Sequence, residues 1–214
     1  MNILIITGGG LDVPFATSYL KDHDYDRVIA ADKGFFYALE LGIRPDFVLG
    51  DFDSLDEASK KKLDAYQDAM DVYPSVKDYT DTHLALEKAL EFGADEITIL
   101  GGTGTRLDHT WANVGLLEIP ARQGVPTYIV DAHNRISMWN HGFEIKKEES
   151  FGDFVSLIPY TEKVTGLTLR GFFYEVTDFI LTIGVSRGIS NELIKETASV
   201  EFVSGELIMV ESLD

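Results

Sequence analysis

The segment Pro45-Asp46-Phe47-Val48-Leu49-Gly50-Asp51-Phe52-Asp53-Ser54-Leu55-Asp56-Glu57 joins a short strand-like apolar run to a capping-box helix start, Ser54 to Glu57. A strand that passes straight into a helix is the building unit of an open α/β sheet. Its crossing point lies at the carboxyl edge of the strands, where such sheets bind ligands. Asp51 and Asp53 sit at that crossing. Residues i and i+2 of extended or turning backbone face the same side, so the two carboxylates converge while Phe52 points away. Mg²⁺ takes oxygen ligands and is usually held by one or two carboxylates together with substrate phosphates, which this pair suits. An isolated Asp-x-Asp serves equally well as a solvated acidic turn, so the neighbouring segments decide between the two readings.

Outward from this segment, apolar runs alternate with amphipathic stretches as far as about residue 132. Ile3–Ile6, Val28–Ala31, Phe47–Leu49, Val72–Tyr73, Ile97–Leu100 and Tyr128–Val130 read as strands. Helical periodicity is clearest at Thr82–Phe92, with Leu84, Ala85, Ala89 and Leu90 as its apolar stripe and Gly93 as its stop. This βαβ order predicts an α/β fold: an N-terminal, mostly parallel, Rossmann-like sheet with helices on both faces. After about residue 133 the texture changes to closely spaced β-like runs at Phe154–Ile158, Gly166–Arg170, Leu181–Ile183, Ser199–Val203 and Leu207–Val210. These predict a smaller C-terminal antiparallel β-sandwich, and hence two domains, 1–132 and 133–214.

Two further motifs arrive at the same sheet edge. Lys77-Asp78-Tyr79-Thr80-Asp81 stands directly before the helix that begins near Thr82, and places Asp78 and Asp81 beside Asp51 and Asp53. Thr80 and Asp81 are also ordinary helix-capping residues. Gly101-Gly102-Thr103-Gly104-Thr105-Arg106-Leu107-Asp108-His109 again follows a strand and precedes an apparent helix. Glycines let backbone N–H groups approach phosphate, a helix N-terminus adds positive potential, and Arg106 supplies a planar cation. The loop is neither a Walker loop nor a Gly-x-Gly-x-x-Gly fingerprint. Asp108 either orients Arg106 or caps the next helix, and His109 serves either the helix start or the substrate.

Composition narrows the function classes. The 214 residues are 45% apolar, and 36 acidic against 18 basic side chains give a net charge of −18, which opposes non-specific binding to nucleic acid or an anionic membrane. A phosphorylated substrate remains compatible with this charge if it arrives with its cation. The chain has no cysteine, which excludes disulfides, thiolate metal sites and cysteine nucleophiles. The start Met-Asn-Ile-Leu-Ile-Ile-Thr lacks a basic n-region and no apolar run reaches membrane-spanning length, so a cytoplasmic protein is expected. Residues 1–132 hold 17 Asp and 6 Glu, against 3 Asp and 10 Glu in residues 133–214. Short Asp suits caps, turns and metal ligation, so chemistry is expected in the first part.

The blocks Ala31-Asp32-Lys33-Gly34, Gly50-Asp51-Phe52-Asp53-Ser54, Lys77–Asp81 and Gly101–His109, with Gly188-Ile189-Ser190-Asn191-Glu192 late in the chain, resemble the thiamine pyrophosphokinase family over nearly the whole length. The resemblance implies a homodimer with active sites between subunits, which transfers the diphosphate of ATP to the hydroxyl of thiamine and releases AMP. It further implies that Asp51, Asp53 and Asp81 hold Mg²⁺, with Asp78 beside them as a further catalytic carboxylate. Asp32, Ser54, Gly102, Thr103, Gly104, Arg106, Asp108 and His109 would contact the nucleotide, and Ser190 and Asn191 would bind thiamine. Two departures stand out. Eukaryotic relatives stack a C-terminal tryptophan on the pyrimidine, whereas Glu206-Leu207-Ile208-Met209-Val210 contains no aromatic residue, and the chain's tryptophans are Trp111 and Trp139. Packing in a core or an interface is the commoner role for such residues. Lys33 stands where relatives commonly have glycine.

Competing readings are a haloacid-dehalogenase-like phosphatase and a non-catalytic thiamine or nucleotide sensor on the same scaffold. The phosphatase places its Asp-x-Asp on the first strand, followed by Thr or Val, whereas here the pair follows the third strand and leads into Ser-Leu. The sensor leaves the clustered carboxylates without a use, and uncompensated charges of one sign are costly.

Overall fold

A computed structural model describes residues 1–50, 63, 70–72 and 79–214. Asp51, Asp53, Ser54 and Asp78, and the helix start expected at Ser54, lie outside the described residues. The chain divides into two compact units, Met1–Leu116 with Ile129–Ala132, and Leu117–Tyr128 with His133–Asp214.

In the first unit β1 (Asn2–Ile6) is the centre. It pairs in parallel with β2 (Arg27–Ala31) on one side and β5 (Glu96–Leu100) on the other. β3 (Phe47–Gly50) and β4 (Met70–Val72) extend the sheet in parallel beyond β2, and β6 (Thr127–Val130) follows β5, giving the order β4-β3-β2-β1-β5-β6. Successive residues of a strand face opposite sides, yet Ile3 to Ile6 and Ile97, Ile99 and Leu100 are all fully buried. Both faces of the central strands are therefore covered, as parallel sheets require. The helices are α1 (Val13–Tyr19), α2 (Gly34–Glu40), α3 (Asp81–Glu91) and α4 (Leu107–Leu116).

Helix α3 starts where the sequence places it, with Thr80 as N-cap, and ends at Phe92 before Gly93 at φ +77°. Its buried stripe is Thr82, Ala85, Leu86 and Ala89. The expected stripe named Leu84 and Leu90, which are half-buried on the flanks. Counting small Thr82 as polar shifts the apparent apolar face by one residue. Of the strand expected at Val72–Tyr73, Val72 belongs to β4 (Met70–Val72) and Tyr73 lies outside the described residues.

The second unit begins with helix α5 (Glu118–Arg122) and builds two antiparallel layers. β13 (Leu207–Ser212) pairs with both β7 (Asn134–Trp139) and β9 (Phe154–Pro159). The other layer has the order β11-β10-β12-β8, from Val176–Thr182, Lys163–Arg170, Thr197–Glu201 and Phe143–Lys146. Val155, Leu157, Leu207 and Met209 of the first layer share one core with Val164, Leu167, Leu181 and Val200 of the second. This is sheet-on-sheet packing, as expected from the C-terminal strand pattern.

One polar interaction pins this sandwich. Glu211, fully buried on β13, accepts from Arg135 Nε and from an Arg135 terminal nitrogen, each at 2.6 Å, and from Phe151 N at 3.2 Å. Arg135 also donates to Glu149 O at 2.8 Å. Removing one member of a buried ion pair strands the other, at a cost of roughly 3–5 kcal/mol when both are fully buried. Arg135 is partly exposed, so Glu211→Gln is expected to lose about 2–3 kcal/mol in urea unfolding with an unchanged m-value. An unchanged midpoint would show that the pair contributes nothing net.

Candidate active site

The cleft of the first unit is made by backbone meeting backbone at the ends of β1 and β5. Thr7 N donates to Leu100 O at 2.9 Å, and Gly101 O accepts from both Thr7 Oγ1 at 2.7 Å and Gly9 N at 3.0 Å. Gly10 N then donates to Thr103 O at 2.7 Å. Only glycine permits this approach: a Cβ on Gly9 would lie 2.2 Å from Gly101 O, and one on Gly101, at φ +73°, 2.5 Å from Thr7 O.

The next loop is fastened from below. Asn113, buried on α4, donates from Nδ2 to Gly102 O at 2.8 Å, and Thr103 Oγ1 donates to Asp131 Oδ2 at 2.9 Å. The carbonyl oxygens of Gly101, Gly102 and Thr103 are thus all engaged within the protein. That is the polarity required of a loop whose N–H groups are to serve an anion. Asp32 takes the left-handed conformation, φ +51°, which Asp tolerates better than most residues, and its N donates to Leu49 O at 2.9 Å. Its carboxylate stands beside Gly8, where a Cβ would lie 3.1 Å from Oδ2.

These elements enclose a cleft of about 720 Å³. Of the candidate residues, Asp32, Asp81, Gly102, Thr103, Gly104, Arg106 and His109 line it. Asp81 stands in the first turn of α3, whose N-cap Thr80 accepts from His83 N at 3.3 Å. Asp108 lies one step back, in the first turn of α4, and is not among the lining residues. Ser190 and Asn191 belong to the second unit. Sequence reasoning passed over the Gly8–Gly10 loop, Asn113 and Asp131, and noted Lys33 only as standing where relatives commonly have glycine. The triple glycine after the first strand was the available signal for the loop, whereas nothing in the pattern singles out Asp131 or Asn113. Among the described residues no three metal-ligating side chains converge, and the Asp51 and Asp53 positions lie outside those residues.

Arg106 and Asp108 settle the alternative left open for Asp108. Asp108 accepts from Arg106 Nε at 3.2 Å and from a terminal nitrogen at 2.5 Å, a fork on an exposed surface. Asp108 therefore orients Arg106, and it also accepts from the backbone of His109 at the helix start. The guanidinium, more than the His109 backbone bond, holds the Asp108 carboxyl down at about 2. Trp139 half-buries against the sandwich core, stacked on Phe143 at 4.4 Å between centroids, which is the packing role expected of it. Trp111 is 66% exposed.

Two family profiles match the chain: "Thiamin pyrophosphokinase, catalytic domain" over residues 17–129, and "Thiamin pyrophosphokinase, vitamin B1 binding domain" over residues 140–207. The thiamine pyrophosphokinase of Bacillus subtilis (strain 168) is 37% identical over 214 residues, covering 99% of both chains. A crystal structure of the Bacillus subtilis thiamine pyrophosphokinase superposes with a TM-score of 0.88 at 35% identity, over 100% of both chains. The thiamin pyrophosphokinase of Geobacillus thermodenitrificans gives a TM-score of 0.86 at 36% identity, over 100% of this chain and 98% of that one.

The Arg106–Asp108 fork carries its own test. A carboxyl held low in the folded protein adds stability above its unfolded value of about 3.9, and that contribution is lost as pH falls through about 2. Carbon-detected NMR titration should place the Asp108 midpoint near 2, and Arg106→Gln should return it toward about 3.9. A midpoint that ignores the substitution would show that the guanidinium is not its cause.

Proposed function

The chain belongs to the thiamin pyrophosphokinase family, and from that premise we propose that it transfers the diphosphate of ATP to the hydroxyl of thiamine, giving thiamine diphosphate and AMP. The first unit is the nucleotide-binding catalytic part, and the second carries the thiamine-binding turn at Ser190–Asn191 and the dimer contacts. The phosphatase and sensor readings have no support from the relatives, whose names are those of the kinase. The observation that carries the proposal is the gathering of the glycine loop, Arg106, Lys33, Asp32 and Asp81 around one cleft.

Phosphate oxygens face the loop N–H groups and the cations of Arg106 and Lys33. The helix N-terminus of α4 adds positive potential to the same end of the cleft. Asp81 and Asp32, which line the cleft, carry the carboxylate oxygens that Mg²⁺ takes, and Asp51 and Asp53, outside the described residues, would complete the set. Magnesium held there would neutralise polyphosphate charge. In the transfer, the thiamine hydroxyl oxygen bonds to the β-phosphorus and the bond from that phosphorus to the α–β bridging oxygen breaks. AMP leaves with the bridging oxygen, and the hydroxyl proton passes to a cleft carboxylate. Positioning and charge neutralisation suffice for such a reaction. The net charge of −18 favours the cationic thiazolium. A homodimer with sites between subunits and a cytoplasmic location complete the proposal.

Purified protein supplied with ATP, thiamine and Mg²⁺ should form AMP and thiamine diphosphate in equal amounts, and EDTA should abolish both. Asp81→Asn should lower kcat by about a hundredfold or more, as loss of one preorganised charge-stabilising group does. ADP or free phosphate in place of AMP would sink the mechanism.

A further inference from the structure

The cleft of the first unit carries polar groups for which a polyphosphate has no use. Asn113, on α4, lines it while only 8% exposed, and Thr82, on α3, lines it at 9%. The two helices pack against each other, so these side chains reach the cleft from neighbouring elements. Sequence pattern reads Thr82 as a helix-start residue and Asn113 as a polar interruption of an apolar helix, and neither reading uses its side chain.

The Asn113 amide is engaged on one side only. Its Nδ2 donates to Gly102 O at 2.8 Å, which fixes the plane of the whole group. Its Oδ1 accepts from no group among the described residues, and the Thr82 hydroxyl likewise has no partner among them. Neither atom is sealed in: among the described residues the side-chain polar atom that is both sealed and unpartnered is Tyr25 Oη. Buried polar groups are satisfied as a rule. An amide oxygen on a side chain this buried, unpartnered yet open, is an acceptor presented to the cleft that its residue lines.

An amide oxygen only accepts. Phosphate oxygens neutralised by a cation also only accept, so they belong with the loop N–H groups and the cations, and Asn113 Oδ1 does not bind them. The hydrogen-bond donors of ATP lie at its other end, in the amine of adenine and the hydroxyls of ribose. We propose that Asn113 is a specificity-determining residue for the nucleoside end of ATP, its Oδ1 accepting a hydrogen bond from an amine or hydroxyl there, with the Thr82 hydroxyl offered from the neighbouring helix. This deepens the nucleotide-binding reading of the first unit and rests on it. One planar amide then serves both ends of the nucleotide: its nitrogen holds the loop that meets the phosphates, and its oxygen reads the nucleoside.

The test is steady-state diphosphate transfer to thiamine by the full-length protein and its Asn113→Ala variant, with ATP, purine riboside triphosphate, 2′-deoxy-ATP and 3′-deoxy-ATP as donors. Each analogue lacks one of the three candidate hydrogens, so the analogue that fails names the group that Asn113 reads. Wild-type protein should use that analogue at least about tenfold less well than ATP in kcat/KM, because a buried acceptor is left unpaired. Asn113→Ala should lower kcat/KM for ATP and use ATP and that analogue within about twofold of each other, with the KM for thiamine within about twofold of wild type. A variant in which all four nucleotides fall by the same factor, the discrimination intact, would show that Asn113 acts through Gly102 alone and would overturn the proposal. Wild-type protein that uses all three analogues within about twofold of ATP would also overturn it, and this arm stands even if Asn113→Ala does not fold. Failure of the wild-type protein to form AMP and thiamine diphosphate from ATP and thiamine would overturn the functional reading itself, and this one with it.

Discussion

Backbone-to-backbone contact at the carboxyl edge of the parallel sheet is the constraint on which the first unit depends. Gly101 O accepts from Thr7 Oγ1 and Gly9 N, and no side chain fits between these chains. The contact fixes two loops at once, the one after β1 and the one after β5. With Asn113 and Asp131 holding the second loop from behind, its carbonyl oxygens turn inward. That polarity suits the loop to an anion, and Asp81 of α3 and Asp32 of the turn after β2 line the same cleft. A Cβ at Gly9 or Gly101 would break this contact by meeting backbone oxygens.

A protein of net charge −18 that handles a polyphosphate must concentrate its few cations where they are used. Arg106 and Lys33 line the cleft. The Asp108 fork keeps Arg106 extended along a defined direction while leaving it exposed. In the second unit the same economy is achieved with hydrogen bonds. Asn191, Glu175 and Gly171 spend their polar groups on bracing the turn that precedes β11.

Much of this was legible in the sequence, because parallel βαβ units and antiparallel sandwiches write different periods. Ile3–Ile6 and Ile97–Leu100 fall within one residue of the observed strands, since a strand buried on both faces is a continuous apolar run. The stripe of α3 was misread by one position because Thr82 is buried despite its hydroxyl. Site residues were legible where glycine, arginine or aspartate stood at a strand end. Asp131 and Asn113 were not, because they act through a loop distant in sequence, and a single polar residue after a strand or inside a helix carries no pattern. Asn191 could be singled out by resemblance, but its role depends on which atoms its amide meets, and only coordinates give that.

The central claim is that the interlocked glycine loops of the first unit form the polyphosphate cradle. Amide chemical shifts of the isotopically labelled protein, followed as a non-transferable ATP analogue and Mg²⁺ are added, test it directly. The account predicts that the largest shifts fall on Gly8–Gly10 and Gly102–Arg106. Shifts concentrated on other residues, with those amides unmoved at saturation, would contradict it.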